Sequence, residues 1–141
     1  MNKYILGFVS ICTAIFSVSY VYSQEADQLD QLRKQASVIQ INIKGKNTDG
    51  SMTAQQTMTV DGIGEFLLEN AQAINANTIY DIYFFRDGRV EDEIKSIKLP
   101  YVFKQNFAGL NEGTYQLQFL LVNSFGEVGR VDQTITVRHN P

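Results

Sequence analysis

From Ser37 onward, apolar and polar residues alternate with a period of two, and this alternation constrains the fold more than any other feature of the 141-residue sequence. Successive side chains of an extended chain point to opposite faces, so a period of two is the pattern of a sheet with one buried face. Val38-Ile39-Gln40-Ile41-Asn42-Ile43-Lys44 sets Ile39, Ile41 and Ile43 against Gln40, Asn42 and Lys44. The segment TIYDIYFFRD, Thr78 to Asp87, is rich in β-branched and aromatic residues; Tyr80, Ile82 and Phe84 face one way, and Asp81, Tyr83 and Phe85 the other. In GTYQLQFLLV, Tyr115, Leu117, Phe119 and Leu121 oppose Gln116, Gln118, Leu120 and Val122, and in the last run Val131, Ile135 and Val137 share a face.

Turn pairs separate these runs at Asp49-Gly50, Asp61-Gly62 and Asp87-Gly88. Met52, Ala54, Met58 and Val60 share one parity, which predicts a single second strand forming a hairpin with the first. Glu91-Asp92-Glu93 and Pro100-Tyr101 bracket a connecting segment, with Tyr101, Phe103 and Phe107 as its apolar positions. Residues 65–77, EFLLENAQAINAN, fit two templates: Ile63, Leu67, Asn70 or Ala71, and Ile74 make a helical stripe, whereas Phe66 and Leu68 followed by Ala71 and Ala73 make a strand with one slip. Periodicity alone leaves both open.

The residues ahead of the alternation bear on where the chain works. Lys3, an uncharged apolar run from Ile5 to Tyr22 and the small Ser23 before Gln24-Glu25 have the form of an export leader. Left uncleaved, the run is about the minimum length that spans a bilayer. In either case the rest of the chain is expected outside the cytoplasm, secreted, periplasmic or at the cell surface, with the membrane engaged only through an uncleaved leader. Cys12, the single cysteine, lies inside this run after Ile11, where lipoprotein processing would need a small residue. A cleaved chain therefore has no disulfide and depends on its core. Residues 24–37, QEADQLDQLRKQAS, place Leu29, Leu32 and Ala36 at helical spacing among charges, a polar stalk too short to be a stable helix alone. The expected organisation is a signal peptide over 1–23, a helical or flexible stalk over 24–37 and a β-domain over 38–141.

The succession IYDIYFFRDG, LPYVF, GLNEGTYQLQFLLVNSFGEVG and TITV resembles the bacterial immunoglobulin-like domains of exported enzymes and surface proteins, over roughly residues 63–138. The resemblance implies an all-β, immunoglobulin-like β-sandwich of about seven strands, with residues 66–73 as its second core strand. It implies that Tyr115, near the start of the penultimate strand, closes the corner between the sheets, its ring in the core and its hydroxyl bonded to upstream backbone. Leu117 falls where antibody domains carry the second cysteine of their disulfide. The chain has no Trp and no cysteine pair, so packing by Ile82, Phe84, Leu117, Phe119 and Leu121 has to replace both. That departure suits a prokaryotic module and speaks against antigen-receptor function. The role implied is interaction, through a non-enzymatic binding or spacer module.

The inventory of reactive groups is short. His139 is the only histidine and stands beside Asn140 and Pro141, where a chain end is expected to fray. Without a second histidine or a cysteine beyond the leader, thiol catalysis, a Ser-His-Asp triad and the usual zinc sites are out of reach. Glycines are scattered through turns and make no phosphate-cradling loop. A net charge of −3, more negative once Lys3 is lost, argues against nucleic acid as a partner. Asp87 with Glu91-Asp92-Glu93, and Asp61 with Glu65, could offer oxygens to calcium, but neither has the spacing of a calcium loop, and no cofactor or metal is expected. The alternatives are a secreted carboxylate-based hydrolase, which needs two carboxylates across a concave pocket, and a calcium-dependent surface protein. The favoured site is the outward face formed by Tyr83, Phe85, Gln116, Gln118, Leu120 and Val122, extended by Thr134 and Thr136. Aromatic rings flanked by amides and hydroxyls suit a protein or polysaccharide partner at the cell surface, unless the N-terminal region or a neighbouring chain covers them.

The leader has a direct test. Mass spectrometry of the natural protein should find a chain beginning close to Gln24 outside the cytoplasm; a cytoplasmic product retaining Met1 to Ser23 would contradict it.

Overall fold

The structure is a computed structural model that describes residues 27–47, 50–54, 57–72 and 77–139. It divides into two units, Met1–Gln35 and Ala36–Pro141. In the first, residues 27–34 are helical, with Leu29 and Leu32 half-buried. The second is built of strands: β1 (Ile41–Lys46), β2 (Met52–Thr53), β3 (Thr57–Val60), β4 (Ile63–Asn70), β5 (Tyr80–Arg86), β6 (Arg89–Ile97), β7 (Tyr101–Asn106), β8 (Gly113–Asn123) and β9 (Val128–Val137). They form a four-stranded sheet in the order β2-β1-β4-β7 and a five-stranded sheet in the order β3-β9-β8-β5-β6. The protein is thus an all-β, immunoglobulin-like sandwich. Every pairing is antiparallel except β3 with β9.

The two sheets meet through aromatic rings. Phe119 of β8 lies 5.1 Å from Phe84 of β5, 5.1 Å from Phe103 of β7 and 5.5 Å from Phe66 of β4 between ring centroids, and Phe84 lies 4.9 Å from Phe103. Tilted and edge-on arrangements at these distances are the favoured ones, because they bring the positive rim of one ring to the negative face of another. Ile82, Phe84, Leu117, Phe119 and Leu121 are all buried. They form, with Phe66 and Phe103, the apolar packing between the sheets of a domain that has no Trp.

Residues 65–77 are where periodicity left the choice open, and β4 decides it up to Asn70. Flanked by β1 and β7, its backbone pairs on both sides, and Phe66 and Leu68 are fully buried. The helical stripe would have needed Ile63 inside, and Ile63 is 62% exposed. Residues 73–76 lie outside the described residues.

Two expectations are corrected. Met52 to Val60 is two strands in different sheets, where a single hairpin strand was expected. β2 pairs with Gly45 and Lys46 of β1, and β3 then runs parallel to Thr134–Val137 of β9. A sandwich permits this because the edges of its two sheets lie close enough for one segment to leave one and join the other. Met58 and Val60 keep their buried parity across the switch. Gly45 makes room for it: a Cβ there would collide with the Met58 side chain. The second correction concerns Glu91-Asp92-Glu93, which lies inside the edge strand β6. Asp87 (φ 49°) and Gly88 (φ 84°) both take left-handed conformations between β5 and β6, the two-residue turn whose twist matches a hairpin. The charges fit their place, since an edge strand carrying carboxylates and lysines resists pairing with other chains.

β9 contains one inconsistency. Its core-facing positions run Val131, Gln133, Ile135 and Val137, and Gln133 is 2% exposed with neither amide atom hydrogen-bonded among the described residues. A buried amide without partners loses its hydration and gains nothing, at about 1–3 kcal/mol. Gln133→Leu should therefore raise stability by about 1–3 kcal/mol, read as a higher denaturant midpoint at unchanged slope; a lower midpoint would show that the amide is satisfied in solution.

Candidate functional site

The outer face of the five-stranded sheet follows from strand register. Tyr83 of β5 lies opposite Leu120 of β8, which lies opposite Arg130 of β9; Phe85 lies opposite Gln118, and Gln118 opposite Asp132. Side chains directly across neighbouring strands share a face, so these residues stand together. Gln116 faces Thr134 and Thr114 faces Thr136 in the same way. The register thus brings all six residues of the expected surface onto one face.

Many of them already have partners. Thr134 Oγ1 donates to Gln116 Oε1 at 3.0 Å, Gln118 Nε2 donates to Asp132 Oδ1 at 3.0 Å, and the Thr114 and Thr136 hydroxyls lie 3.4 Å apart. Lys95 Nζ donates to the Tyr83 hydroxyl at 2.9 Å and sits 5.0 Å from its ring centroid. The same ammonium lies 3.0 Å from Glu93 and 3.6 Å from Asp81. The bond to Tyr83, and then that to Glu93, hold Lys95 protonated well beyond the ordinary lysine range. Sequence reasoning missed Lys95 and Asp132, because cross-strand register cannot be read from one strand's own alternation.

Exposure departs from expectation. Gln116 is exposed, and Tyr83, Gln118 and Val122 are half-buried. Phe85 is only 3% exposed and Leu120 0%, although both stand on the outer face. Parity states which face a side chain occupies and nothing about what lies over that face. Leu120, in the middle of β8, has Tyr83 on one side and Arg130 on the other, and long side chains fold over shorter ones.

The other candidates are placed as follows. The Tyr115 hydroxyl donates to the Asn111 carbonyl at 2.6 Å, its ring packs half-buried against the core, and the Arg86 guanidinium lies 5.8 Å from it. His139 is not frayed: its backbone N–H donates to Glu112 Oε2 at 2.8 Å and its ring Nε2 donates to the Leu110 carbonyl. The loop that begins the Tyr115 corner thereby holds His139, an interaction between distant residues that position in the sequence cannot show. Among the carboxylates, Asp87 accepts from the Gln116 N–H, Glu91 pairs with Arg86 at 3.0 Å and Glu65 with Lys46 at 3.1 Å. Alternation along β6 sends neighbouring carboxylates to opposite faces. Among the described residues no three acidic, histidine or cysteine side chains form a group that could hold a metal ion.

No family model matches the chain, and no curated protein matches it in sequence. Solved structures with a similar course of the chain include an endo-β-1,4-mannanase from Thermotoga petrophila, at 9% identity and a TM-score of 0.48, covering 76% of this chain and 21% of the mannanase. This chain thus spans about a fifth of that enzyme's length. The soluble domain of PmoD from Methylocystis is similar at 13% identity and a TM-score of 0.48, covering 74% of this chain and 95% of that domain. A CARDB domain from Pyrococcus furiosus is similar at 16% identity and a TM-score of 0.40, covering 70% and 92%. Likeness at this level assigns no activity to this chain.

Tyr115→Phe isolates the corner bond. Because the bond lies near the surface and water can replace it at the Asn111 carbonyl, the loss should be about 0.5–1.5 kcal/mol, seen as a lower denaturant midpoint at constant slope. An unchanged midpoint would show that the hydroxyl holds nothing.

Proposed function

We propose that this chain is an exported, non-catalytic binding or spacer module that meets a protein or polysaccharide outside the cytoplasm. The observation that carries the reading is the cross-strand ordering of the outer face. Tyr83 is held by Lys95, Gln116 by Thr134 and Gln118 by Asp132, so the polar and aromatic groups are fixed before any partner arrives. Prior fixation favours binding because little side-chain freedom remains to be lost. The paired carboxylates support the same reading, since Glu91, Glu65 and Asp87 already spend their oxygens within the fold. Export rests on Lys3 and the apolar run after it.

A photo-crosslinking residue at position 83, in the full chain expressed in its native cell, should trap a partner outside the cytoplasm. Adducts arising only from positions off this face would reject the surface. Polysaccharide hydrolysis by the purified chain, abolished by Glu93→Gln or Asp81→Asn, would replace the module reading with the hydrolase one.

A further inference from the structure

At one end of the sandwich, away from the outer face, the chain entering β1, the end of β4, the start of β5 and the β8–β9 hairpin enclose a cleft of about 240 Å³. Its polar walls are amides and a carboxylate, all of them bonded within the fold and, Asn123 apart, only half used. Gln72 Nε2 donates to Gln40 Oε1 at 3.3 Å, the Tyr80 hydroxyl donates to Asn70 Oδ1 at 3.1 Å, and Asn123 Nδ2 donates to Glu127 Oε1 at 2.9 Å. Among the described residues these bonds fix the side chains and leave their other ends without partners: Gln40 Nε2 and Asn70 Nδ2 as donors, Gln72 Oε1 and Glu127 Oε2 as acceptors.

At the rim stands Phe125, 81% exposed. Its turn is tightly bonded. Asn123 Oδ1 accepts from the N–H groups of Phe125 and Glu127, each at 3.0 Å, the Gly126 N–H donates to the Asn123 carbonyl, and Gly126 takes φ 81°, which suits glycine. A stiff turn that holds a large apolar ring in water spends hydrophobic free energy, which an occupant stacked on the ring would recover.

We infer that this cleft binds a glycan, taking one neutral sugar unit. A sugar hydroxyl both donates and accepts, as the mixed free ends of the amides require, and the C–H face of a pyranose can stack on Phe125. No cationic side chain is among the described lining residues, so an anionic ligand has no counter-charge there. The volume is below the roughly 300–1,000 Å³ of pockets that enclose drug-sized ligands, which suits a single ring or a chain end. The site is separate from the surface of the proposed module function and stands or falls without it.

The test is NMR titration of the full chain with mannotetraose, cellotetraose, xylotetraose and chitotetraose, each to roughly 10 mM, where a Kd near 1 mM is visible. At least one should move the side-chain amide signals of Gln40, Asn70 and Gln72 and the ring signals of Phe125. Phe125→Ala, at an exposed tip where folding is not at stake, should weaken that binding about tenfold or more, while Tyr83→Ser should leave it unchanged. The inference is overturned if none of these oligosaccharides moves the cleft signals, or if Phe125→Ala binds like the parent. Shifts confined to the surroundings of Tyr83 would also overturn it while leaving the outer-face reading intact.

Discussion

Everything else in this domain depends on the contact of Phe119 with Phe84, Phe103 and Phe66, because it joins the two sheets. A buried aromatic ring contributes about 2–3 kcal/mol by removal from water, and each well-oriented ring pair about 0.5–1.5 kcal/mol more. Immunoglobulin-type sandwiches commonly hold their sheets with a Trp packed on a disulfide. Beyond Cys12 this chain has no cysteine, and it has no Trp at all. Rings contributed by β4, β5, β7 and β8 tie the sheets together without either.

With the sheets joined, the periphery follows. Tyr115 ties the loop before β8 to the core through Asn111, and that loop in turn holds His139 through Glu112 and Leu110. Beside this corner, Asp87 bonds to the Gln116 backbone, and the turn at Asp87-Gly88 returns the chain as β6, whose Lys95 reaches Tyr83 on the outer face. The outer face and the Phe125 cleft are thus secondary products of one packing decision. Both are assembled from elements far apart in sequence, and both present polar groups already oriented by bonds within the fold.

The all-β class and the inward residues of β5, β8 and β9 were legible because a period of two is a direct consequence of extended backbone. The corner role expected of Tyr115 came from the resemblance to immunoglobulin-like domains and not from its own alternation. The exposure of Phe85 and Leu120 was not, because alternation says nothing of what covers a face. The split of Met52–Val60 was equally hidden, since Met58 and Val60 keep the same parity whichever sheet the segment joins. Glu91 to Glu93 read as a connection because an edge strand's outer side needs no apolar residues.

What the sequence determined by itself is local: which residues extend, where turns fall, and which side chains face inward, each set by neighbours within a few positions. Tertiary structure alone decided which strands became neighbours, and so which groups met: Lys95 with Tyr83, Gln118 with Asp132, Gln72 with Gln40. The physical reason is that a hydrogen bond between distant residues depends on register and sheet order. Those arise when the whole core packs, and no single segment encodes them.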